Sequence, residues 1–406
     1  MAALGNPVSR AFARVLADVR AGDHPGRLAD YIPELAKADP DAFALSAASV
    51  SGHTYAAGDS TVPFTIQSIS KAFVYALALA EHGVAAVTAR VGVEPSGEAF
   101  NAISFDAQGR PANPMINAGA IVTTSLIAGA TADERFERIR RGLSAFAGRE
   151  LRCDEAVAAS ESATGDRNRA LAMLARSSGA LDGTVDDAVE AYFRQCALLV
   201  DTTDLAVMGA TLANDGVNPV TDRRIVPSIV ARDTLSLMSS CGMYDRSGQW
   251  LFDVGLPAKS GVGGGIVAVA PGEYGIGVFS APLDAVGNSA RGVAALRMLS
   301  EGFGLHLFRH PDRPVSPVQA VEIDARTETV TMRLRGVVDF VAAEQIAYQA
   351  AETMDATGSR TLVLDAADVA ASTRVAALLL GDLFAHVREA GADIVVVDPE
   401  GTLDPS

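Results

Sequence analysis

The stretch VPFTIQSISKAF, residues 62–73, contains Lys71, and the stretch VGLPAKSGVGGGI, residues 254–266, contains Lys259. Of the 33 lysines and arginines in the chain, only these two and Lys37 are lysines. Arginine stays charged at physiological pH, whereas a buried lysine can lose its proton and act as a base. The scarcity of lysine therefore indicates that these two stretches require an amine that can become neutral.

A serine precedes the first of these lysines by three positions. On a helix, Ser68 and Lys71 share one face, with Cβ atoms about 5–6 Å apart. A neutral lysine could accept the serine proton if burial, or a cation such as Lys259, lowers its pKa from about 10.4. Ser68 would also lie near the start of its helix, where free N–H groups stabilise an oxyanion. The alternative is a polar helix face on which Ser-x-x-Lys occurs by chance, and the second lysine stretch argues against it.

Ser-x-x-Lys followed much later by Lys-Ser/Thr-Gly is the signature of serine acyl-transfer enzymes of the β-lactamase and penicillin-binding type. The glycine run at 261–265 would let the backbone approach a ligand closely, and the Val262 N–H is a candidate second oxyanion donor. A glycine-rich hairpin turn is the alternative. The order Gly-Lys-Ser/Thr is absent, which argues against a phosphate-binding loop.

Composition narrows the class of protein. A chain of 406 residues suggests two or three domains. Apolar residues make up 49% and charged residues 20%, as is typical of a soluble globular protein with sizeable cores. The formal net charge of −16 argues against a nucleic-acid partner, because phosphate binding requires a basic face.

Cysteine and histidine usage limits the chemistry. The three cysteines, Cys153, Cys196 and Cys241, are too few and too dispersed for a disulfide framework or a zinc site, so we expect a reducing, cytoplasmic location. Residues 83–305 contain no histidine, which leaves a Ser–His–Asp triad or a histidine-rich metal site poorly supported. We expect no signal peptide and no membrane span, because charged residues interrupt the N-terminal segment.

The order of elements predicts an α+β fold for the first domain, residues 1–308. The predicted strands and helices are strand 42–50, strand 54–58, helix 65–82, a mostly helical region 120–215, strands 259–270 and 273–281, and helix 290–302. Strands at both ends with helices between them predict one antiparallel sheet completed by both ends of the domain, beside a helical lobe.

A second domain, residues 318–406, follows a proline-rich linker at 309–317. The predicted elements are strands 319–325 and 328–335, helix 340–357, strand 361–365, helix 374–390 and strand 393–398. This alternation predicts a small α/β domain with a largely parallel sheet.

Other polar segments have a functional and a structural interpretation. Tyr244, in Cys241-Gly-Met-Tyr-Asp245, could relay protons between the serine and a leaving amine, but taken alone a core tyrosine is favoured. Glu161 and Asn168, in SESATGDRN, could bind the ammonium and carboxylate of an amino acid, but a solvated charged loop is favoured by the sequence alone. Asn117 is expected in a turn.

Taken together, these segments resemble the serine-dependent glutaminase family, which has a β-lactamase-like fold. The matching stretches, in family order, are DYIPELAK (30–37), VPFTIQSISKAF (62–73), NPMINAGAI (113–121), SESATGDRN (160–168), AYFRQC (191–196), TLANDGVNP (211–219), SLMSSCGMYDRSGQW (236–250) and VGLPAKSGVGGGI (254–266). Each stretch alone is weak evidence, whereas the ordered set is specific.

The resemblance implies hydrolysis of L-glutamine to L-glutamate and ammonia through an acyl-enzyme, with no metal or other cofactor and with a homodimer or homotetramer as the assembly. Ser68 would be the nucleophile, Lys71 its base, and Tyr244 a proton donor to the leaving ammonia. The residues implied in substrate binding or support are Tyr31, Asn117, Glu161, Asn168 and Tyr192, the oxyanion donors Ser68 and Val262, and Lys259 as an electrostatic support.

Residues 318–400 resemble STAS domains, on the order of their elements and on LVLDAADV (362–369) before a helix. The phosphorylatable Asp-Ser-Ser-Gly stretch of that family is replaced by Ala370-Ala-Ser-Thr-Arg374, which argues against a phosphorylation switch and favours a regulatory or docking role. The partner of this domain is unknown.

Two other functions compete with the glutaminase hypothesis. A penicillin-binding protein or β-lactamase shares the Ser-x-x-Lys and Lys-Ser-Gly motifs, but the chain lacks the Ser-Asp-Asn element and an export signal. A regulatory protein could use the first domain as a glutamine-sensing pseudoenzyme. The intact Ser68, Lys71 and Tyr244 argue against that alternative.

Overall fold

A computed structural model of the chain describes residues 7–30, 32–97, 102–309 and 316–403. The chain divides into two compact units, Met1–Arg309 and His310–Ser406. Most of the predicted linker at 309–317 lies outside the described residues. Within the described parts of the chain, no helix is both long and apolar enough to cross a membrane.

The first unit mixes helices and strands. Its helices are α1 (Pro7–Ala21), α2 (Ser70–His82), α3 (Val84–Thr88), α4 (Asn117–Leu126), α5 (Ala132–Ala147), α6 (Glu155–Ala163), α7 (Asp166–Ser177), α8 (Val185–Cys196), α9 (Thr202–Ala213), α10 (Ser228–Cys241), α11 (Ser247–Asp253) and α12 (Ala290–Phe303). Its strands are β1 (Ala44–Ser49), β2 (Thr54–Gly58), β3 (Phe64–Thr65), β4 (Arg152–Cys153), β5 (Leu198–Val200), β6 (Val217–Asn218), β7 (Arg223–Arg224), β8 (Ala258–Ser260), β9 (Gly265–Ala270) and β10 (Tyr274–Phe279). Three 3₁₀ turns lie at Leu35–Lys37, Gln67–Ile69 and Tyr244–Arg246.

The main sheet joins the two ends of this unit. Its strand order is β2-β1-β10-β9-β8, and each neighbouring pair is antiparallel. The first strand pairs with the last, with Ala44 opposite Phe279 and Ser49 opposite Tyr274. The prediction of one sheet completed by both ends of the domain is confirmed.

Helix α9 packs on one face of this sheet, and two glycines of β10 allow its close approach. A Cβ on Gly275 would lie 2.0 Å from the backbone nitrogen of Ala210, and one on Gly277 would lie 2.2 Å from the carbonyl oxygen of Thr202. Side chains at these two positions would therefore push α9 away. Apolar residues of α1 and α12, such as Leu16 and Leu296, belong to a core with inward-facing strand residues of the sheet.

The helical lobe lies between the strands in sequence, as predicted. Nine of the thirteen residues of α2 are buried, and its Phe73 contacts Phe146 of α5 at a ring-centroid distance of 5.1 Å. The three-stranded sheet β3-β5-β4 connects this lobe to the segment before α2. The predicted helix 65–82 begins later than expected, at Ser70, because a strand and a 3₁₀ turn precede it.

The second unit is a four-stranded sheet with two helices. Its elements are β11 (Val318–Asp324), β12 (Thr329–Val338), α13 (Phe340–Thr357), β13 (Thr361–Ser372), α14 (Arg374–Glu389) and β14 (Asp393–Val397). The strand order is β11-β12-β13-β14, with β11 antiparallel to β12 and the other pairs parallel. These elements confirm the predicted alternation, although β13 extends seven residues beyond the predicted end at Asp365.

Candidate active site

The segment before α2 has an unusual backbone that presents Ser68. Strand β3 pairs with β5, and the N–H of Ile66 donates to the carbonyl of Leu198 at 2.8 Å. Gln67 then adopts a φ of +49°, a left-handed conformation that side-chain-bearing residues rarely adopt. Ser68 therefore lies in a 3₁₀ turn just before α2, and not within an α-helix as the spacing argument predicted.

The glycine-rich loop after β8 packs directly against this turn. A Cβ on Gly261 would lie 3.0 Å from the carbonyl oxygen of Ile66, and one on Gly263 would lie 2.8 Å from the carbonyl oxygen of Thr65. Glycine at both positions thus permits the contact between the two backbones. The contact brings Val262, the residue between these glycines, to the cavity that Ser68 also lines.

Lys71, in the first turn of α2, is fully buried. Its Nζ donates to Oδ1 of Asn117 at 2.6 Å and to the carbonyl oxygen of Met115 at 3.3 Å. Burial lowers the pKa of this amine to about 8, even though the nearby Cys196 and Glu161 act in the opposite direction. A substantial fraction of the amine is therefore neutral near pH 8, as a general base requires.

Lys259 is also fully buried, and it lies against Tyr244. Its Nζ is 4.5 Å from the centre of the tyrosine ring and donates to the carbonyl of Ser260 at 2.7 Å. Burial, and next the charge of Lys71, lower the pKa of Lys259 well below its ordinary value. This differs from the expectation that the charge of Lys259 lowers the pKa of Lys71, because burial is what lowers the pKa of Lys71.

Tyr244 is buried beside the serine. Its hydroxyl donates to the carbonyl oxygen of Ser260 at 3.2 Å. Burial raises the pKa of Tyr244 above its ordinary value, against the opposing effect of hydrogen bonds with Ser68 and Ser260. Its φ is +57°, so this residue also has a left-handed backbone. A tyrosine with a raised pKa keeps its proton and can donate it.

A cavity of about 170 Å³ opens beside Ser68. Its lining residues are Ile32, Gln67, Ser68, Asn117, Glu161, Thr164, Gly165, Arg167, Asn168, Tyr192, Cys196 and Val262. The predicted binding residues Asn117, Glu161, Asn168 and Tyr192 are thus brought together, although they come from four different helices. Tyr31 lies outside the described residues.

Hydrogen bonds order the amides of this cavity. Asn117 Nδ2 donates to Oδ1 of Asn168 at 2.9 Å, and the hydroxyl of Tyr192 donates to Oδ1 of Asn117 at 3.3 Å. The same Asn117 oxygen accepts from Lys71. Asn117 therefore connects Lys71 to Asn168 and Tyr192 through hydrogen bonds. It lies at the start of α4 and is buried, which corrects the prediction of a simple turn.

Glu161 is a buried carboxylate with one unsatisfied oxygen. The side chain lies in α6 and is only 7% exposed, and Oε1 has no hydrogen-bond partner within the described structure. Burial raises the pKa of Glu161 to about 7, although Gln67 and Lys71 act in the opposite direction. The sequence favoured a solvated charged loop here, and that prediction is wrong, because α6 and α7 place Glu161 and Asn168 on the cavity wall.

Several lining residues were not singled out by the sequence. Gln67 hydrogen-bonds to Glu161, and Cys196 and Arg167 complete the wall. Each lies in a stretch quoted for the family resemblance, but the resemblance gave none of them a role, because their positions on the cavity wall depend on how separate segments pack. Within the described residues, no group of three or more His, Cys, Asp or Glu side chains is placed to hold a metal ion.

Comparisons with known proteins agree with this geometry. The family model for glutaminase matches residues 26–308. The chain is 44% identical over 400 residues to the glutaminase of Corynebacterium glutamicum, and the alignment covers 98% of this chain and 95% of that relative. It is 55% identical over 307 residues to glutaminase 2 of Bradyrhizobium diazoefficiens, covering 75% of this chain but 49% of that relative. The chain thus spans about half the length of the Bradyrhizobium protein.

Solved structures show the same relationship. A crystal structure of the protein named Mglu is similar at a TM-score of 0.86 and 46% identity, covering 98% of this chain and 99% of that one, so the likeness extends over both units. A probable glutaminase from Bacillus subtilis, complexed with 6-diazo-5-oxo-L-norleucine, gives a TM-score of 0.68 at 34% identity and covers 75% of this chain and 97% of its own. The chain belongs to the glutaminase family of amidohydrolases.

Proposed function

We propose that the chain hydrolyses L-glutamine to L-glutamate and ammonia through an acyl-enzyme formed on Ser68. The observation that carries this proposal is the fully buried Lys71, whose pKa burial lowers to about 8, three residues after a serine on the cavity wall. A buried amine that is partly neutral near pH 8 can take the proton of a serine hydroxyl.

The first step is attack of Ser68 Oγ on the side-chain amide carbon of glutamine. The serine proton passes to Lys71, and the N–H groups of Ser68 and Val262 donate to the oxyanion. Tyr244 gives its proton to the departing nitrogen, which leaves as ammonia, and the proton on Lys71 restores the tyrosine. Water then attacks the ester, its proton returns to Ser68, and glutamate leaves. Lys259 supports the site through its contact with Tyr244.

The α-ammonium and α-carboxylate groups of glutamine are proposed to bind polar side chains of the cavity wall. Glu161 is proposed to accept from the substrate ammonium, and its unsatisfied Oε1 on the cavity wall supports this role. The side-chain amides of Asn117 and Asn168 offer N–H donors for the substrate carboxylate. Tyr192, and Tyr31 on the family resemblance, are proposed to contact the carboxylate and its neighbouring polar atoms. Structures of the similar protein Mglu in a glutamate form support an amino-acid ligand of this kind.

The second unit is proposed to act as a STAS-like regulatory or docking domain, and the protein is proposed to form a homodimer or homotetramer. The order and direction of β11 to β14 support the STAS-like assignment. Thr373, in the segment that differs from the family's phosphorylation motif, accepts a hydrogen bond from the N–H of Ala376 and caps α14. Its hydroxyl thus has a structural role in this unit.

The test of the function is ammonia release from L-glutamine by the purified protein. L-Asparagine, a chromogenic penicillin and the Ser68→Ala variant are assayed in parallel. We expect glutamine turnover that falls by at least about 10³-fold in Ser68→Ala, with an unchanged circular dichroism spectrum. Turnover of the penicillin alone, or full glutamine turnover in the variant, would contradict the proposal.

A further inference from the structure

A chain of buried hydrogen bonds runs from the protein interior to the peptide before Ser68. The carbonyl oxygen of Gln67 accepts from the hydroxyl of Ser70 at 2.7 Å and also from the Ser70 N–H. The side-chain amide of Gln195 donates from Nε2 to the same hydroxyl at 3.3 Å. Gln195 Oε1 accepts from the hydroxyl of Thr124 at 2.9 Å, a proton that this hydroxyl shares with the carbonyl oxygen of Ala120 at 2.8 Å.

Every side chain in this chain of bonds is excluded from solvent. Ser70, Gln195 and Thr124 are each 0% exposed. Gln195 belongs to α8, Thr124 to α4 and Ser70 to α2, so the bonds connect three helices at one point. A buried amide whose hydrogen bonds are satisfied on both ends is held in one orientation. The carbonyl of Gln67 is therefore held by a hydrogen bond from a side chain whose own position is fixed.

The carbonyl of Gln67 and the N–H of Ser68 belong to the same peptide group. A peptide is planar, and in the trans form its C=O and N–H point in opposite directions. Fixing the carbonyl therefore also fixes the direction of the N–H. This matters here because Gln67 has a φ of +49°, an unfavourable backbone state that would relax if nothing held it.

We propose that Ser70 and Gln195 are positioning residues that aim the Ser68 N–H at the oxyanion by holding the opposite end of its peptide group. This inference rests on the proposed function, in which that N–H is one of two oxyanion donors. Hydrogen bonding to the carbonyl also polarises the N–H and strengthens it as a donor. Neither Ser70 nor Gln195 lines the substrate cavity, so their loss should affect the transition state and not substrate binding.

The experiment compares steady-state kinetics of the full-length Ser70→Ala, Ser70→Thr and Gln195→Leu variants with the wild type. We expect kcat for L-glutamine to fall about 10- to 100-fold in Ser70→Ala, with KM within about twofold, as for loss of oxyanion stabilisation. Ser70→Thr keeps the hydroxyl and should recover most of kcat. Gln195→Leu leaves the hydroxyl unanchored and should lower kcat by a smaller factor, about 5- to 10-fold.

Thr123→Val is the matched control. Thr123 is equally buried in α4, next to Thr124, but its hydroxyl donates to carbonyls of its own helix, those of Gly119 and Ala120. We expect wild-type kcat in this variant. A similar fall of kcat in Thr123→Val would show that any buried hydroxyl matters and would overturn the positioning role.

Two further outcomes decide the inference. Wild-type kcat in folded Ser70→Ala would overturn it, as would a rise of KM with unchanged kcat. If Ser70→Ala does not fold, Gln195→Leu decides in the same way. Failure of the underlying mechanism is distinguishable, because Ser68→Ala would then remain active, whereas a failed positioning role leaves Ser68→Ala inactive and Ser70→Ala fully active.

Discussion

The two units of the chain differ in what they bury. The first unit buries charged and polar side chains, among them Lys71, Lys259 and Glu161. In the second unit, no polar or charged residue of the described range 316–403 is buried, and the core consists of apolar side chains such as Leu362. Burial of an ionisable group costs free energy unless it is compensated, so a fold retains such groups where they have a use.

The backbone shows the same contrast. Among the described residues of the first unit, Gln67 and Tyr244 at the candidate site have left-handed φ values, as do Asp215 and Asp222 in the turns beside β6 and β7. In the described part of the second unit, Glu328, in the turn between β11 and β12, is the one such residue other than glycine. Strain and buried charge thus coincide around Ser68, which is the pattern expected of an active site.

The largest effect is expected when a buried lysine, Lys71, is replaced and the result is compared with replacement of the exposed Lys37. Lys71→Met removes the proposed base, and we expect glutamine turnover to fall by about 10³-fold or more. Lys37→Met is the matched control, because the Lys37 side chain is 69% exposed, and it should keep wild-type turnover. Lys71→Arg should also be inactive, since arginine cannot act as a base at neutral pH. Turnover close to the wild type in Lys71→Met would remove Lys71 from the mechanism.

A second test separates binding from stability at the buried carboxylate. Glu161→Gln should raise KM for glutamine about 10²-fold, because the charge that pairs with the ammonium is lost. The pKa of Glu161 in the folded protein is about 7, above the unfolded value of about 4.3. Between these two pKa values the unfolded state is ionised and the folded state is not, so the free energy of unfolding falls as the pH rises from about 4.3 to about 7. The loss is complete at pH 8, where the variant should have a higher Tm than the wild type.

The control for that variant is Glu155→Gln, in the same helix, whose side chain is 70% exposed. It should change neither KM nor Tm appreciably. A lower Tm for Glu161→Gln, together with an unchanged KM, would show that Glu161 is a structural residue and would remove the contrast between the units.

The pH dependence tests both groups together. Glu161 must be ionised, and its pKa is raised to about 7, while Lys71 must be neutral, and its pKa is lowered to about 8. The ionised fraction of Glu161 and the neutral fraction of Lys71 both increase as the pH rises. We therefore expect kcat/KM to increase about tenfold between pH 7 and pH 8.5 and then to level off. A profile that is flat or falls over this range would contradict the assignment of either role.

The smallest expected effect is that of removing the second unit. A chain lacking residues 311–406 should fold and retain kcat within about twofold, because each unit has its own apolar core. Ammonia release and a thermal melt of the truncated protein check this expectation. An insoluble or inactive truncation would show that the two units are not independent.

The sequence predicted the elements of the second unit closely, and the reason is local. Its helices and strands follow regular apolar periods and end at turn residues, so the helix predicted at 340–357 is Phe340–Thr357 in the structure. The main sheet of the first unit was also largely predictable from the positions of its strands. The exception is the strand predicted at 259–270, which is wrong, because the glycine-rich turn divides it into the antiparallel pair β8 and β9. Where the apolar pattern of a segment agrees with its packing in the fold, the sequence alone is sufficient to predict the helix or strand.

The candidate site was predictable only in part. The scarcity of lysine and the Ser-x-x-Lys spacing identified Ser68 and Lys71, but they also predicted a regular helix where Gln67 forms a left-handed turn. Glu161 is charged and lies in a polar stretch, so its burial could not be inferred from its neighbours. Its position depends on the packing of α6 against α8, and these two helices bring together residues that are distant in sequence.

The proposed mechanism requires the glutamyl group of glutamine to become bound to Ser68 as an ester during turnover. The most direct measurement mixes the enzyme with L-glutamine, quenches with acid within milliseconds and maps peptide masses. We predict one glutamyl group on the peptide that contains Ser68, and none in the Ser68→Ala variant. Turnover without any acylated peptide, or acylation of a residue other than Ser68, would contradict the account.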